Sequence, residues 1–213
     1  FAPRFSLGEW LYPALRALCY LFLIIALAGP QWGHATRDFR KKGVDIVISM
    51  DVSGSMLALD FMPKNRLKAA VDIAKDFVSR RPNDRFSLVA FSEYAITASP
   101  LTYDHAAIMS ALDNLDVNRE ASGTAIGMGL AKAVARLKDS EAESKIVILI
   151  TDGVNNCGEI GPISAAQMAK ALDIKVFPIG VGSGGVVPFP FVDSLGRTRN
   201  IPTLIELDMD MLH

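Results

Sequence analysis

Asp51, Ser53 and Ser55 are separated by one residue each, and Gly54 between the serines permits a tight turn of the backbone. That spacing lets one carboxylate and two hydroxyls converge on a point. Oxygen donors of this kind suit a hard divalent cation, and Mg2+ in particular accepts few protein ligands, retains water and leaves positions for an incoming group. Taken alone, Asp-x-Ser-x-Ser is also what ordinary helix capping produces. Two further stretches point the other way. Lys145 to Gly153 is an apolar run that ends in Asp152 and a glycine, and Ser122 to Gly127 puts Thr124 in a glycine-rich turn opening a helix.

The elements that must carry these loops follow from hydrophobic pattern. Val44 to Met50 is β-branched and apolar, with Asp45 near its start, as expected of a central parallel strand covered on both faces. After the first loop, Pro63 to Arg66 starts a helix in which Leu67, Ala70, Val71, Ala74, Phe77 and Val78 recur at helical spacing, and which stops before Pro82. Asp84 to Phe91 is the next strand, and Ala95 to Ser99 an antiparallel edge strand. Thr102 or Asp104 caps a helix reaching about Leu115. From Thr124 the small residues Ala125, Gly127, Gly129, Ala131, Ala133 and Ala135 let a helix ending near Asp139 approach the sheet closely. The Lys145 to Ile150 strand, a helix over residues 163–172 and a strand from Lys175 to Val181 complete the alternation. Strands alternating with helices predict a doubly wound, mostly parallel α/β sheet with helices on both faces, Rossmann-like in architecture. In such sheets ligands gather at the carboxyl ends of strands where the strand order reverses, and Asp51 and Asp152 both sit at such ends.

Beyond this, Gly180 to Gly185 fails as a dinucleotide fingerprint, because no helix and no suitably placed acid follow. Pro188 to Val192 and Arg197 to Leu207 flank a turn at Asp193 to Gly196 and predict a β-hairpin. Asp208 and Asp210 read as the acidic first turn of a helix cut short at His213.

The joint pattern of three loops resembles the metal-ion-dependent adhesion site of the von Willebrand factor A family, over about Val44 to Leu207. Asp51 to Met56, Arg81 to Arg85 and Thr151 to Asn156 further resemble the Bat-type bacterial membrane proteins, named for aerotolerance. The resemblance implies that Asp51, Ser53, Ser55, Thr124 and Asp152 form a metal site for Mg2+ or another divalent cation such as Mn2+ or Ca2+. Ser53, Ser55 and at times Thr124 would bind directly, and Asp51 and Asp152 partly through water. Family membership also implies a partner protein that supplies a Glu or Asp carboxylate to the metal, and association with other membrane von Willebrand A proteins and a MoxR-type ATPase system. Asn155 and Asn156 are candidates for hydrogen bonds near the metal.

The N-terminal segment is of another kind. From Trp10 to Ala28 the chain is almost wholly apolar, interrupted by Pro13 and Arg16, and a span needs about 20 apolar residues if Arg16 reaches toward the headgroups. Trp10, Tyr12 and Trp32 flank it as interfacial anchors. We therefore expect residues 1–9 as a juxtamembrane segment, 10–29 as a transmembrane helix, 30–43 as a linker and 44–213 as the folded domain with its last helix truncated. A signal peptide with a small-x-small site at Ala26-Leu27-Ala28 is the competing reading, and a buried core helix a third. Charge counting places Arg37, Arg40, Lys41 and Lys42 after the span against Arg4 and Arg16 before it, which favours a cytoplasmic domain. The Bat resemblance implies instead a bacterial inner-membrane protein with a periplasmic domain, further spans before Phe1 and after His213, and no direct contact with a cytoplasmic ATPase.

Net charge of -1, no long basic run and 8% aromatic residues give no reason to expect a nucleic-acid partner. Cys19 and Cys157 are the only cysteines and are unsuited to pairing; Cys157 reads as a tolerated small residue rather than a reactive thiol. Arg119 and Glu120 belong to a solvated loop. A metal-dependent hydrolase with Asp51, Ser53 or Ser55 as nucleophile would need a general acid or base in reach, and His34, His105 and His213 read as surface residues. A scaffold domain whose metal is purely structural is the remaining alternative. The expectation is a non-enzymatic, metal-dependent protein-binding module that takes part in assembly of a bacterial envelope complex.

Overall fold

The computed structural model describes residues 7–28, 43–119, 121, 123–152, 155–183, 185–192 and 197–205. Arg4, Trp32, His34, the basic residues from Arg37 to Lys42, Glu120, Ser122, Gly153, the turn at 193–196, Leu207, Asp208, Asp210 and His213 lie outside them. The chain divides into two units, residues 1–39 and 40–213.

In the first unit, α1 (Leu7–Ala28) is a helix that contains Pro13. Its stretch Trp10–Ala28, 19 residues, is long and apolar enough to cross a membrane. Described side chains all round this helix are exposed, with Leu27 at 79% and Trp10 at 70%. A helix apolar on every side has the composition of a membrane span or of a helix buried in a large core.

In the second unit, β1 (Asp45–Asp51), β2 (Arg85–Phe91), β3 (Ala95–Thr102), β4 (Lys145–Thr151) and β5 (Ile174–Gly180) form one five-stranded sheet of order β3-β2-β1-β4-β5. All pairs are parallel except β2 with β3, the antiparallel edge, which runs three residues further than its sequence pattern suggested. Every residue of β1 is buried, because it lies between β2 and β4 and has a helical layer on each face. Its alternation divides the core. Ile46, Ile48 and Met50 face α2 (Arg66–Ser79) and α3 (His105–Asp113), while Val47 faces α4 (Ile126–Leu137) and α5 (Pro162–Ala171).

Local chemistry sets the helix ends. Asn65 caps α2 by accepting from the Lys68 N–H at 2.8 Å, and Asp104 caps α3 by accepting from the Ala107 N–H at 3.0 Å. The charged start of β1 is closed by Arg85, whose guanidinium holds the Asp45 carboxylate through both oxygens, with the Ser140 hydroxyl as a third donor. The hairpin is present as β6 (Gly185–Val192) against β7 (Thr198–Ile205), a separate two-stranded antiparallel sheet. The next element after the glycines at 180 and 182 is the strand β6 and not a helix, as expected where no nucleotide loop is present.

The small residues of α4 act differently from one another. Gly129 lies against the Phe91 ring in the sheet, Ala131 and Ala133 are buried, and Ala135 is exposed, so the packing face does not run through every small residue. Gly127 faces the backbone that leads into α5, and a Cβ there would lie 2.0 Å from the Ile160 carbonyl oxygen. Backbone cannot yield as a side-chain tip does. Gly127→Ala is expected to lower stability by about 1–3 kcal/mol, read as a reduced denaturant midpoint at unchanged slope.

Candidate metal centre

β1 and β4 lie side by side where the chain turns from building the sheet in one direction to building it in the other. Asp51 ends β1, and Asp152 immediately follows β4. Both are fully buried. Asp51 Oδ1 accepts the Ser53 N–H at 2.8 Å, and Oδ2 accepts the Thr151 hydroxyl at 2.7 Å. The first bond holds the local turn after the strand, and the second ties the ends of β1 and β4 together.

Ser53 precedes a short 3-10 turn, Gly54–Leu57, in extended backbone conformation, the position from which a serine ordinarily caps. Its hydroxyl makes no capping bond, and lies instead 3.0 Å from the Ser55 hydroxyl. Ser53 is buried and Ser55 half-buried. Helix capping therefore does not account for this serine. At most one proton lies between the two oxygens, so lone pairs on both remain to accept another interaction.

Asp152 Oδ2 faces Nη1 of Arg66 at 3.4 Å, and its Oδ1, although buried, has no hydrogen-bond partner among the described residues. Burial, and next the neighbouring Asp152 charge, push the Asp51 carboxyl up to about 6, against the pull of the Ser53 and Thr151 hydrogen bonds. Two buried carboxylates thus stand close enough for the charge of one, Asp152, to oppose ionisation of the other, Asp51.

Thr124 is buried on the loop before α4. Its N–H donates to Asn156 Oδ1 at 2.7 Å, and its carbonyl accepts the Asn156 N–H at 3.1 Å. Asn155 Oδ1 takes the Ile126 N–H at 2.9 Å, so both asparagines fasten this loop to the one after β4. Next to it, the Ala125 N–H donates to Ser92 O at 2.7 Å just beyond β2, while Val52 donates to Phe91 O at 2.8 Å. The second loop is in this way tied both to the strand beside β1 and to the loop that begins at Asp152. Gly123 makes the closeness of that joint feasible, since a Cβ there would meet Asn156 Oδ1 and Cys157 Sγ, each at 2.7 Å. Burial pushes the Cys157 thiol up, with the Glu93 charge adding to it, which fits an inert residue. Arg119 is exposed, as expected.

Sequence reasoning overlooked Arg66, Asp60 and Thr151. Arg66 is the first residue of α2 yet entirely buried, held by Asp60 through Nε at 3.0 Å and Nη2 at 2.8 Å. The signal was present: the positive end of the helix dipole favours acids in the first turn, so an arginine there needs another reason. His105 also differs from its expected surface role. Half-buried, it meets Asp84 O through Nε2 at 2.9 Å and packs edge-on against Phe86, with ring centroids 5.4 Å apart.

The donor set fits a hard dication. Among the described residues no three of His, Cys, Asp or Glu cluster as a metal site; the donors present are oxygens, the buried Asp51 and Asp152 carboxylates, the latter with an unpartnered oxygen, and the paired Ser53 and Ser55 hydroxyls.

Sheet order, helical layers and these three loops define a von Willebrand factor A fold, and residues 46–155 match the von Willebrand factor type A domain family. The chain belongs to that family. An aerotolerance-related membrane protein of Bacteroides fragilis, mutated at multiple positions to serine, has a similar structure at TM-score 0.66 and 28% identity, over 80% of this chain and 85% of that one. BatB of Bacteroides thetaiotaomicron is similar at TM-score 0.68 and 29% identity, over 80% and 83%. Proximal thread matrix protein 1 of the mussel byssus, with zinc in its adhesion-site motif, is similar at TM-score 0.53 and 28% identity, over 65% of this chain and 37% of that one. This chain spans about half the length of the curated bacterial relatives that it matches at 35–36% identity.

Proposed function

We propose that Asp51, Ser53, Ser55, Thr124 and Asp152 hold a divalent cation, Mg2+ first among candidates, and that the loaded site binds an acidic residue of a partner protein. One observation carries this reading. Two fully buried carboxylates stand at the ends of adjacent parallel strands, one with an unpartnered oxygen, beside two serine hydroxyls free of any capping role. Leaving a buried carboxylate oxygen without a partner costs about 1–3 kcal/mol or more, and fixed dipoles alone do not offset it here.

The bound cation supplies an electrophilic point whose charge neutral hydroxyls leave largely unneutralised, so an incoming carboxylate is attracted. Asp51 spends one oxygen on the Ser53 N–H and thereby aims the turn that presents both serines. Asn156 fixes the backbone of Thr124. The zinc-bearing byssus protein supports the metal assignment as a relative of similar fold. We read no catalysis into the site: the ring of His105 is used in packing, and its Nε2 is used on Asp84 O.

By likeness to the Bacteroides membrane protein, we place α1 in a bacterial inner membrane as the 10–29 span, with residues 44–213 as the domain, on the periplasmic side, in assembly of an envelope complex with other von Willebrand A membrane proteins. A MoxR-type ATPase system would act with it from across the membrane. A reporter fused after Lys42 reads out the side; cytoplasmic signal overturns the placement. For the site, calorimetric titration of Mg2+ or Mn2+ into the full chain in detergent is expected to show one ion per chain, lost in Asp51→Ala. Wild-type protein that takes up no ion, with the variant still folded, ends the metal reading. If an ion binds but an acidic peptide never competes with water for it, the cation is structural and the scaffold alternative holds.

A further inference from the structure

We propose that Arg66 sets how tightly this site holds its cation, by competing with the cation for Asp152. The inference rests on the reading of Asp51, Asp152 and the serines as a divalent cation site. Arg66 has three nitrogens engaged, and unequally. Nε and Nη2 form a short fork onto Asp60 at 3.0 and 2.8 Å, whereas Nη1 reaches Asp152 Oδ2 once, at 3.4 Å. Asp60 is itself fixed, because its Oδ2 also accepts the Ser183 N–H at 2.9 Å and the Ser183 hydroxyl at 3.3 Å. Side chains of all three charged residues are fully buried.

The consequence is a positive charge that cannot leave. A guanidinium keeps its proton in proteins, and a planar fork locked on one carboxylate has little freedom to follow another. Asp60 therefore holds Arg66 where its charge bears on Asp152 without satisfying it, as the unpartnered Oδ1 of Asp152 records. A dication at Asp152 shares that carboxylate with a permanent cation one group away. In a dry interior such a neighbour weighs heavily against metal affinity, and Asp60, one group further off, partly offsets it.

Two variants move affinity in opposite directions. Asp60→Asn keeps an acceptor for Ser183 but removes a negative charge, leaving Arg66 to Asp152 alone. Arg66→Met combined with Asp60→Asn removes both charges and frees Asp152 for the ion. Titrating Mn2+ into the full chain in detergent is expected to give a Kd at least about threefold weaker in Asp60→Asn and at least roughly tenfold tighter in the double variant than in wild type. A purely structural Arg66 would loosen the site in both variants, weakening Kd in both, and that result overturns the inference. Unchanged Kd in both, with binding still abolished by Asp51→Ala, overturns it too and leaves the metal reading standing; no binding by wild type removes both. Should that double variant not fold, Arg66→Gln with Asp60→Asn takes its place with the same expected tightening, and an equal or tighter Kd in Asp60→Asn overturns the inference by itself.

Discussion

Arg66→Ala is expected to destabilise the folded domain by about 3–5 kcal/mol, the cost of breaking a buried ion pair by deleting one member. The reason lies in what remains. Asp60 and Asp152 are both out of solvent, and alanine offers neither of them a donor. In the intact protein, burial opposes ionisation of Asp60, but hydrogen bonds from Arg66 and Ser183 outweigh it and hold the carboxyl below its ordinary value. Without the guanidinium the strongest of those opposing pulls is gone, so the Asp60 value rises from where Arg66 held it. A lowered folded-state value is stability that is present above the unfolded value and lost as pH falls through the folded one, and the variant forfeits it. The deficit of Arg66→Ala should accordingly shrink as the pH is lowered through the carboxylate range. A control sets the scale: Lys75 pairs with Asp113 at 2.7 Å on the surface, and Lys75→Ala is expected to cost no more than about 1 kcal/mol. Denaturant melts of the two variants that gave similar shifts would show that burial of the Arg66 pair has no energetic weight.

The contrast between these two lysine and arginine pairs also explains what the sequence reveals and what it hides. β1 and β4 are legible because a run such as Ile146 to Ile150 has few alternatives to a buried strand, and the acids that end such runs fall at the strand ends by chain geometry alone. The antiparallel β3 and the β6–β7 hairpin are legible for a similar reason, since turn residues bound them. Arg66 is not, because its partner Asp152 is 86 positions away and no local pattern reports a contact of that range. Thr151 is hidden more subtly. Its position at the end of an apolar strand is plain, but that its hydroxyl braces Asp51 depends on the parallel register of β1 with β4. The α4 small residues mislead in part because composition marks a close approach without saying against what. Gly127 answers to the Ile160 backbone rather than to the sheet, and Ala135 to solvent.

Asp51→Asn should separate the electrostatic cost of the site from its use. The carboxyl of Asp51 is raised from an ordinary 3.8 to about 6, chiefly by burial and then by Asp152. By the same linkage, the benign protonated form is available below pH 4, and the penalty appears as pH rises through about 6. At pH 7.5 an ionised Asp51 then costs the ion-free protein on the order of 2–3 kcal/mol. Asparagine removes that charge while its oxygen still accepts the Ser53 N–H, and the Thr151 hydroxyl can rotate to accept from the amide. In chelator at pH 7.5 the variant is expected to be more stable than wild type by about 1–3 kcal/mol, with the difference fading toward pH 4. Adding Mg2+ at a thousand times its Kd reverses the order, because wild type then gains roughly 4.1 kcal/mol and the variant gains nothing. The crossing of the two stabilities is the diagnostic, and it is independent of any partner. A variant that is less stable than wild type in chelator would mean that Asp51 and Asp152 coexist comfortably without an ion, and the physical case for a cation between these strands would go with it.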